Sequence, residues 1–286
     1  MTETSTQAAS TVWTLSGFGD EVDTDPAIQA AVLLALGANY IEVRSAWGVN
    51  VSEMTPEQVA DLKELLDAKG LKVSAVASPI GKVDISLPVE HEVERLRQII
   101  SVAKGLDTKY IRIFSFFRSE AQTPEEIRDD VLTRMRALAA EAETAGVVLL
   151  HENEKDIYGD TPQRVLDIMQ SVDSPALRIA WDNANFVQVG VRPYTDGYAL
   201  LRPYLEYLQV KDAIMATGEV VPSGHGDGEL DATIAALKAD GYAGFASLEP
   251  HLASHHKLGG FSGPVAFGMA ARAFAVLAAK NGIELS

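Results

Sequence analysis

Residues 147–154 read VVLLHENE. A short apolar run that ends on a carboxylate reads as a buried parallel strand with Glu152 at its C-terminal end. Burying a carboxylate is costly unless a cation or partner compensates it. Three further runs repeat the design: LRIAWDN at 177–183 ends on Asp182, LEYLQVKD at 205–212 carries Gln209, and FASLEPH at 245–251 reaches Glu249. Three carboxylates and one amide oxygen, gathered at one end of a barrel, suit a divalent metal such as Mg²⁺ or Mn²⁺. The pattern points to an enzyme working on an oxygen-rich small molecule.

Outward from these four runs, strand-like and helix-like segments alternate along the whole chain. Candidate strands end near Gly17, Val43, Ala77, Ser115, Glu152, Asp182, Lys211 and Glu249. Between them, residues 56–69 place Val59, Leu62, Leu65 and Leu66 on one face and stop at Gly70. Residues 90–104 and 124–145 show the same period and stop at Gly105 and Gly146. Pro56, Pro124 and Pro162 fall at first helical positions, each after a Thr suited to capping. The strand ends recur every roughly 26–38 residues, the length of a strand–helix unit. Eight such units predict a single α/β domain, a (β/α)₈ TIM barrel, over residues 11–286. A doubly wound open sheet is the rival, but no strand leads into a GxGxxG or Walker loop. Residues 264–281 read as the closing helix, with Phe267, Phe274 and Leu277 inward.

The bulk properties narrow the function. The 286 residues are 47% hydrophobic and carry a formal net charge of −16, from 40 acidic and 24 basic side chains. Such a surface repels nucleic acid and anionic membranes. A neutral or locally bound anionic small molecule remains compatible with it. The absence of cysteine rules out disulfides and thiolate metal sites. Residues 1–10, MTETSTQAAS, lack the features of a signal peptide and read as a disordered start. No run of about 18 apolar residues suggests a membrane span. A cytoplasmic location is the default expectation.

With these segments in view, the chain resembles the sugar phosphate isomerase/epimerase family of the xylose isomerase-like TIM barrel superfamily. The resemblance runs through GFGDEV, YIEVRSAWG, SPIGKV, YIRIFSF, ENEKDIYGDTP, WDNANFVQVGVRPY, YLQVKDA, GDGELD, SLEPH and GGFSGP. It implies a metal held by a Glu of strand 5, an Asp of strand 6, a ligand of strand 7 and a Glu of strand 8. These positions are Glu152, Asp182, Gln209 and Glu249. Gln209 stands where such proteins commonly have His, and its amide oxygen shifts the expected metal from Zn²⁺ toward Mn²⁺ or Mg²⁺. Asn185 replaces the His of a D-x-x-H pattern. Both departures argue against the three-zinc nuclease of the superfamily.

Each candidate also has a plainer reading. Glu152 and Glu249 are a pair suited to moving a proton beside a carbonyl, or two acids neutralised by Lys211 and Arg112. Asp182 is a metal ligand or the cap of a helix starting near Asn183. Gln209 is a ligand, a substrate contact, or the mark of a weakened metal site. Lys211 faces the interior two residues on, where it holds substrate hydroxyls or balances the acids. His225, in GHGDGELD, is a substrate contact, a group orienting a ligand, or a solvated loop residue. His151 points toward the helices and reads as packed and hydrogen-bonded. Glu42 and Arg44 share a parity that suits one inward pair. Trp47 and Phe116 are candidates for an apolar wall against a sugar ring, and Phe114 reads as core. The Gly-rich 255–263 is a lid, a subunit contact or a surface loop.

The reading that follows is a divalent-metal-dependent isomerase or epimerase of a sugar or sugar-like polyol, working through an enediolate. Glu152 and Glu249 are its catalytic pair. Arg44, Trp47, Phe116, Lys211 and His225 are its substrate contacts. A lyase of the same fold, a keto-inositol dehydratase or 3-keto-glycoside β-eliminase with His225 or His251 as added acid, is the first alternative. A non-catalytic sugar-binding or assembly barrel with a decayed metal site is the second. Homo- and hetero-oligomers are both left open.

Overall fold

The computed structural model describes residues 11–119, 121–253 and 260–286. The expectations for residues 1–10 and for the 255–259 part of the Gly-rich segment lie outside them. The fold is an α/β TIM barrel. Its strands are β1 (Thr11–Gly17), β2 (Tyr40–Val43), β3 (Lys72–Ala77), β4 (Tyr110–Ile113), β5 (Val148–Glu152), β6 (Leu177–Asp182), β7 (Leu205–Val210) and β8 (Phe245–Leu248). They pair in parallel from β2 through β8, and β8 pairs with β1. A parallel bridge between Phe18 and Glu42, just beyond β1, closes the ring. A ninth strand, β9 (Ile283–Leu285), pairs with the first half of β1.

The helices form where capping and periodicity direct them. Thr55 and Thr123 each complete a capping box, with Gln58 and Glu126 reaching back to the cap amide. The helices Pro56–Lys69 and Pro124–Ala145 then end at Gly70 and Gly146, both at φ +71°. Thr161 departs from this pattern. It precedes Pro162 but its side chain caps nothing, and Arg164 instead ties the helix start to Tyr158 O and to Asp160. The sixth helical segment is broken into Asn183–Gln188, a wide turn over Pro193–Tyr198, and Ala199–Leu201. Gly190 at φ +79°, Pro193 and Pro203 interrupt it.

Side chains of one parity fill the barrel interior in layers. Tyr40, Tyr110 and Phe245 form its floor, with ring centroids 5.0 Å apart for Tyr40–Phe245 and 6.2 Å for Tyr110–Phe245. Ala75, Leu150, Ala180 and Tyr207 form one buried cluster above, which Tyr110, Val148 and Phe245 pack against. One step further toward the C-terminal ends the interior turns polar, at Glu152, Asp182, Gln209 and, just past its strand, Glu249. The outward parity packs against the helices; Leu149, Ile179 and Leu208 all belong to that larger core.

Candidate active site

The strand ends bring the three predicted carboxylates together. Glu152, Asp182 and Glu249 each present an oxygen, and those oxygens lie within 4.8 Å of one another. All three residues are buried. Asn153 locks two of the strand ends side by side: its amide donates to Asp182 O at 2.8 Å, and Asp182 N donates to its Oδ1 at 3.0 Å. Gln209 is fully buried on the neighbouring strand, and neither its Oε1 nor its Nε2 has a hydrogen-bond partner among the described residues. Unpartnered buried amides are rare and call for an explanation. A cation held by three clustered carboxylates and this amide oxygen supplies one. The donor set therefore fits a divalent metal, and the protein contains a candidate buried metal site.

Asp182 serves two readings at once. Its Oδ1 accepts from Asn185 N at 2.9 Å and caps the short helix Asn183–Gln188. Its Oδ2 faces inward, 2.8 Å from Lys211 Nζ. The plainer pairing of the two glutamates is also formed. Arg112 Nη1 donates to Glu152 Oε2 at 2.7 Å, and Lys211 Nζ donates to Glu249 Oε2 at 3.0 Å. Asn185 Nδ2 donates to the other oxygen of Glu152 at 2.9 Å. Asn185 thus orients the carboxylate, even though it lacks the imidazole of the D-x-x-H pattern.

Burial dominates the electrostatics, and neighbouring charges decide its sign. It pushes Asp182 up to about 7; Lys211 opposes that rise and Glu152 adds to it. Burial also pushes Glu249 upward, but Lys211, His251 and Arg44 together outweigh it and hold this carboxyl well below the usual range. Burial would discharge Lys211, yet Asp182, Glu249 and Glu152 keep its ammonium charged well beyond the ordinary lysine range. Glu249 is accordingly an ionised carboxylate ringed by cations.

A cavity opens above this cluster. Arg44, Lys82, Arg112, Lys211 and His251 line it together with the glutamates. Arg44 and Lys211, two of the expected substrate contacts, thus both line the cavity. Arg44 does not pair with Glu42, however. Its Nε donates to Asp20 Oδ2 at 2.8 Å and its Nη1 to Glu249 Oε1 at 3.3 Å, while Glu42 accepts from the Tyr207 hydroxyl at 2.9 Å. The bend after β2 carries the two residues to different depths.

Three predicted substrate contacts lie elsewhere. Phe116 is fully buried in the core, with Arg134 5.3 Å above its ring. Phe114 lines the cavity instead, with Lys82 4.2 Å and Arg112 4.6 Å from its ring centroid. The exchange arises because β4 ends at Ile113 and the backbone then turns, reaching φ +70° at Phe116. Trp47 sits 40% exposed at the tip of a two-residue hairpin, outside the cavity lining; Asn50 of the same hairpin faces inward. His225 is exposed on a loop away from the cavity. Its loop is wound around Asp212, whose carboxylate accepts from the amides of Gly224, Gly226 and Gly228 at 2.8–3.0 Å. A side chain at Gly226 would strike Ala213 O and Asp212 Oδ1, both 2.5 Å from its Cβ, so the glycines of GHGDG serve the turn.

His151 points to the helix layer as expected. It is packed, and neither ring nitrogen has a partner at hydrogen-bond geometry among the described residues; burial lowers its pKa to about 3, leaving a neutral ring. Glu21 and His251 form a pair that the strand pattern alone did not single out. His251 Nε2 lies 3.1 Å from Glu21 Oε1 and 3.4 Å from Glu249 Oε1. His251 N also donates to Glu21 Oε2 at 2.9 Å and holds the residue at φ +48°. Strained backbone of this kind clusters at functional sites.

The chain belongs to the xylose isomerase-like TIM barrel family, whose model matches residues 30–264. It is 28% identical over 218 residues to a 2-epi-5-epi-valiolone 7-phosphate 2-epimerase from Actinoplanes sp., covering 74% of this chain and 78% of that one. It is 23% identical over 176 residues to a 3-dehydroshikimate dehydratase from Bacillus anthracis, covering 61% of this chain and 62% of that one. Among solved structures, a xylose isomerase-like TIM barrel protein from Mycobacterium smegmatis in complex with magnesium superposes with a TM-score of 0.68 at 18% identity. That match covers 95% of this chain and 97% of the other. The described residues contain no helix long and apolar enough to cross a membrane.

Proposed function

We propose that the protein is a divalent-metal-dependent isomerase or epimerase that moves a proton beside the carbonyl of a sugar or sugar-like polyol. The observation that carries this reading is the closely spaced Glu152–Asp182–Glu249 cluster beneath a cavity rich in hydrogen-bond donors. Glu152, Asp182, Gln209 and Glu249 would hold Mn²⁺ or Mg²⁺. When bound, such an ion polarises a carbonyl and stabilises the negative charge of an enediolate. Glu249, kept ionised, accepts the proton from carbon. Glu152, fixed by Arg112 and Asn185, would take up a proton from solvent and return it to the substrate, and Glu249 would lose its proton to solvent before the next turnover. Arg44, Lys82 and Lys211 supply donors for substrate oxygens. The magnesium-bound structural relative and the epimerase among the sequence relatives support the same assignment.

A lyase is the second reading, favoured by one feature of the site. His251, set beside Glu249 and lining the cavity, is placed to protonate a departing hydroxyl after the same first step. A dehydratase stands among the sequence relatives. One experiment separates these readings. A panel of ketoses, keto-inositols and cyclic keto acids is incubated with the Mn²⁺-loaded protein in D₂O and followed by NMR. Deuterium at the carbon beside the carbonyl with a retained carbon skeleton and hydroxyl count marks isomerisation or epimerisation. Loss of a hydroxyl marks the lyase. No exchange on any compound, with metal bound, would leave a binding barrel.

A further inference from the structure

Asp182 and Glu249 each have only one oxygen to offer toward the centre of the cluster. Asp182 Oδ1 is taken by the amide of Asn185 at 2.9 Å. Glu249 Oε1 faces Arg44 Nη1 at 3.3 Å and His251 Nε2 at 3.4 Å. The remaining oxygens, Asp182 Oδ2 and Glu249 Oε2, both contact Lys211 Nζ, at 2.8 Å and 3.0 Å. A divalent metal held by Asp182 and Glu249 would draw on the same two oxygens. An ammonium and a divalent ion cannot share them, because like charges that close repel strongly in a buried site.

We infer that Lys211 is a built-in competitor of the metal: its ammonium and the divalent ion exchange for Asp182 Oδ2 and Glu249 Oε2, and Glu154 receives the displaced ammonium. This rests on the metal reading of the site. Glu154 qualifies as the receiving group on two grounds. It lines the same cavity as Lys211. It is anchored rather than loose, by Lys82 at 2.9 Å and by the amide of Lys155 at 2.9 Å. The four-carbon lysine stem supplies the reach that arginine's rigid fork would not. The arrangement makes metal occupancy conditional, since the ion must displace a resident charge. It also leaves the carboxylates neutralised at every stage, which explains how the barrel tolerates so many acids in its interior.

The test is Mn²⁺ binding by titration calorimetry, with electron paramagnetic resonance counting free Mn²⁺, on the wild type, Lys211→Met, Glu154→Gln and the double variant. Lys211→Met should bind Mn²⁺ at least about tenfold more tightly than the wild type. Glu154→Gln should bind it more weakly, because the ammonium loses its second partner. In the double variant the Glu154→Gln effect should vanish, since Glu154 acts only through Lys211. Thermal melts with and without Mn²⁺ check folding, and Lys211→Gln takes the place of Lys211→Met where the latter does not fold. Unchanged or weaker Mn²⁺ binding in the Lys211 variants, with the wild type still binding, would overturn the competition and leave the metal site standing. An equal effect of Glu154→Gln with and without Lys211 would overturn the exchange to Glu154. No Mn²⁺ binding by any of the four proteins would overturn the competition and the metal reading together.

Discussion

Along β8 the residues facing the barrel interior are Phe245 and Ser247, followed by Glu249 just past its end, and along β5 they are Val148, Leu150 and Glu152. Each strand thus runs from an apolar floor to a charged mouth within three inward positions. At the floor, Phe245 packs against Tyr40, Tyr110 and Tyr207, with ring centroids 5.0–6.2 Å apart. At the mouth, Glu152, Asp182 and Glu249 interlock with Arg112, Lys211 and Arg44. The floor rings are half-buried and the mouth carboxylates fully buried, and the two ends carry opposite physics. Packed aromatic rings stabilise the fold. Buried ion pairs contribute little net stability and become strongly unfavourable when one partner is lost. The floor therefore holds the strands in register, and the mouth exploits that rigidity to keep charges where water would otherwise disperse them.

This contrast can be broken from either side. The largest expected effect is at the floor: Phe245→Ala should destabilise the protein by about 3 kcal/mol in denaturant unfolding, the low end for a phenylalanine because the ring is half-buried. Mn²⁺ affinity of the molecules that remain folded should be unchanged, because the ring lies two inward positions below Glu249. A large loss of metal affinity would show that the two layers are not independent. The middle layer should respond to pH. Burial raises Glu42 to about 7 from its ordinary 4.5. A folded-state pKa above the unfolded one means the stability that Glu42 allows is fully present below pH 4.5 and declines as pH rises through 7. Glu42→Gln should remove that decline. Relative to wild type, the variant should gain up to roughly 3 kcal/mol between pH 4.5 and pH 8. A stability difference that is flat with pH would refute the raised carboxyl. The smallest effect is expected at the rim of the mouth. Asn185→Ala removes the amide that orients Glu152, and should weaken Mn²⁺ binding by about 10–100-fold with little change in melting temperature. A drop in melting temperature at unchanged Mn²⁺ affinity would make Asn185 a structural residue.

The strand ends are legible in the sequence because each is written in one local pattern, an apolar run that gives way to a polar or charged residue. Four such runs placed Glu152, Asp182, Gln209 and Glu249 on one parity and at one end. Arg112 was legible in the same way: an arginine inside YIRIF must face a carboxylate, although the pattern does not say which one. Phe114 and Phe116 changed places because period-two reasoning fails once the strand has ended, and the turn to positive φ is not encoded by the aromatic residues themselves. The GHGDG loop drew attention to His225, whereas its glycines exist to wrap Asp212. The Glu21–His251 pair joins residues 230 positions apart across the β1–β8 seam, and no local signal connects them. β9 has three residues, too few for a periodicity.

The central claim is that the charged mouth holds one divalent ion on its clustered carboxylates. The direct measurement is the Mn²⁺ stoichiometry of the wild-type protein and of the Glu152→Gln/Asp182→Asn double variant, by calorimetric titration of metal-stripped, folded samples. The account predicts about one ion per chain in the wild type and none at the same concentrations in the double variant. Full occupancy in the double variant, or no binding to the wild type, would contradict it.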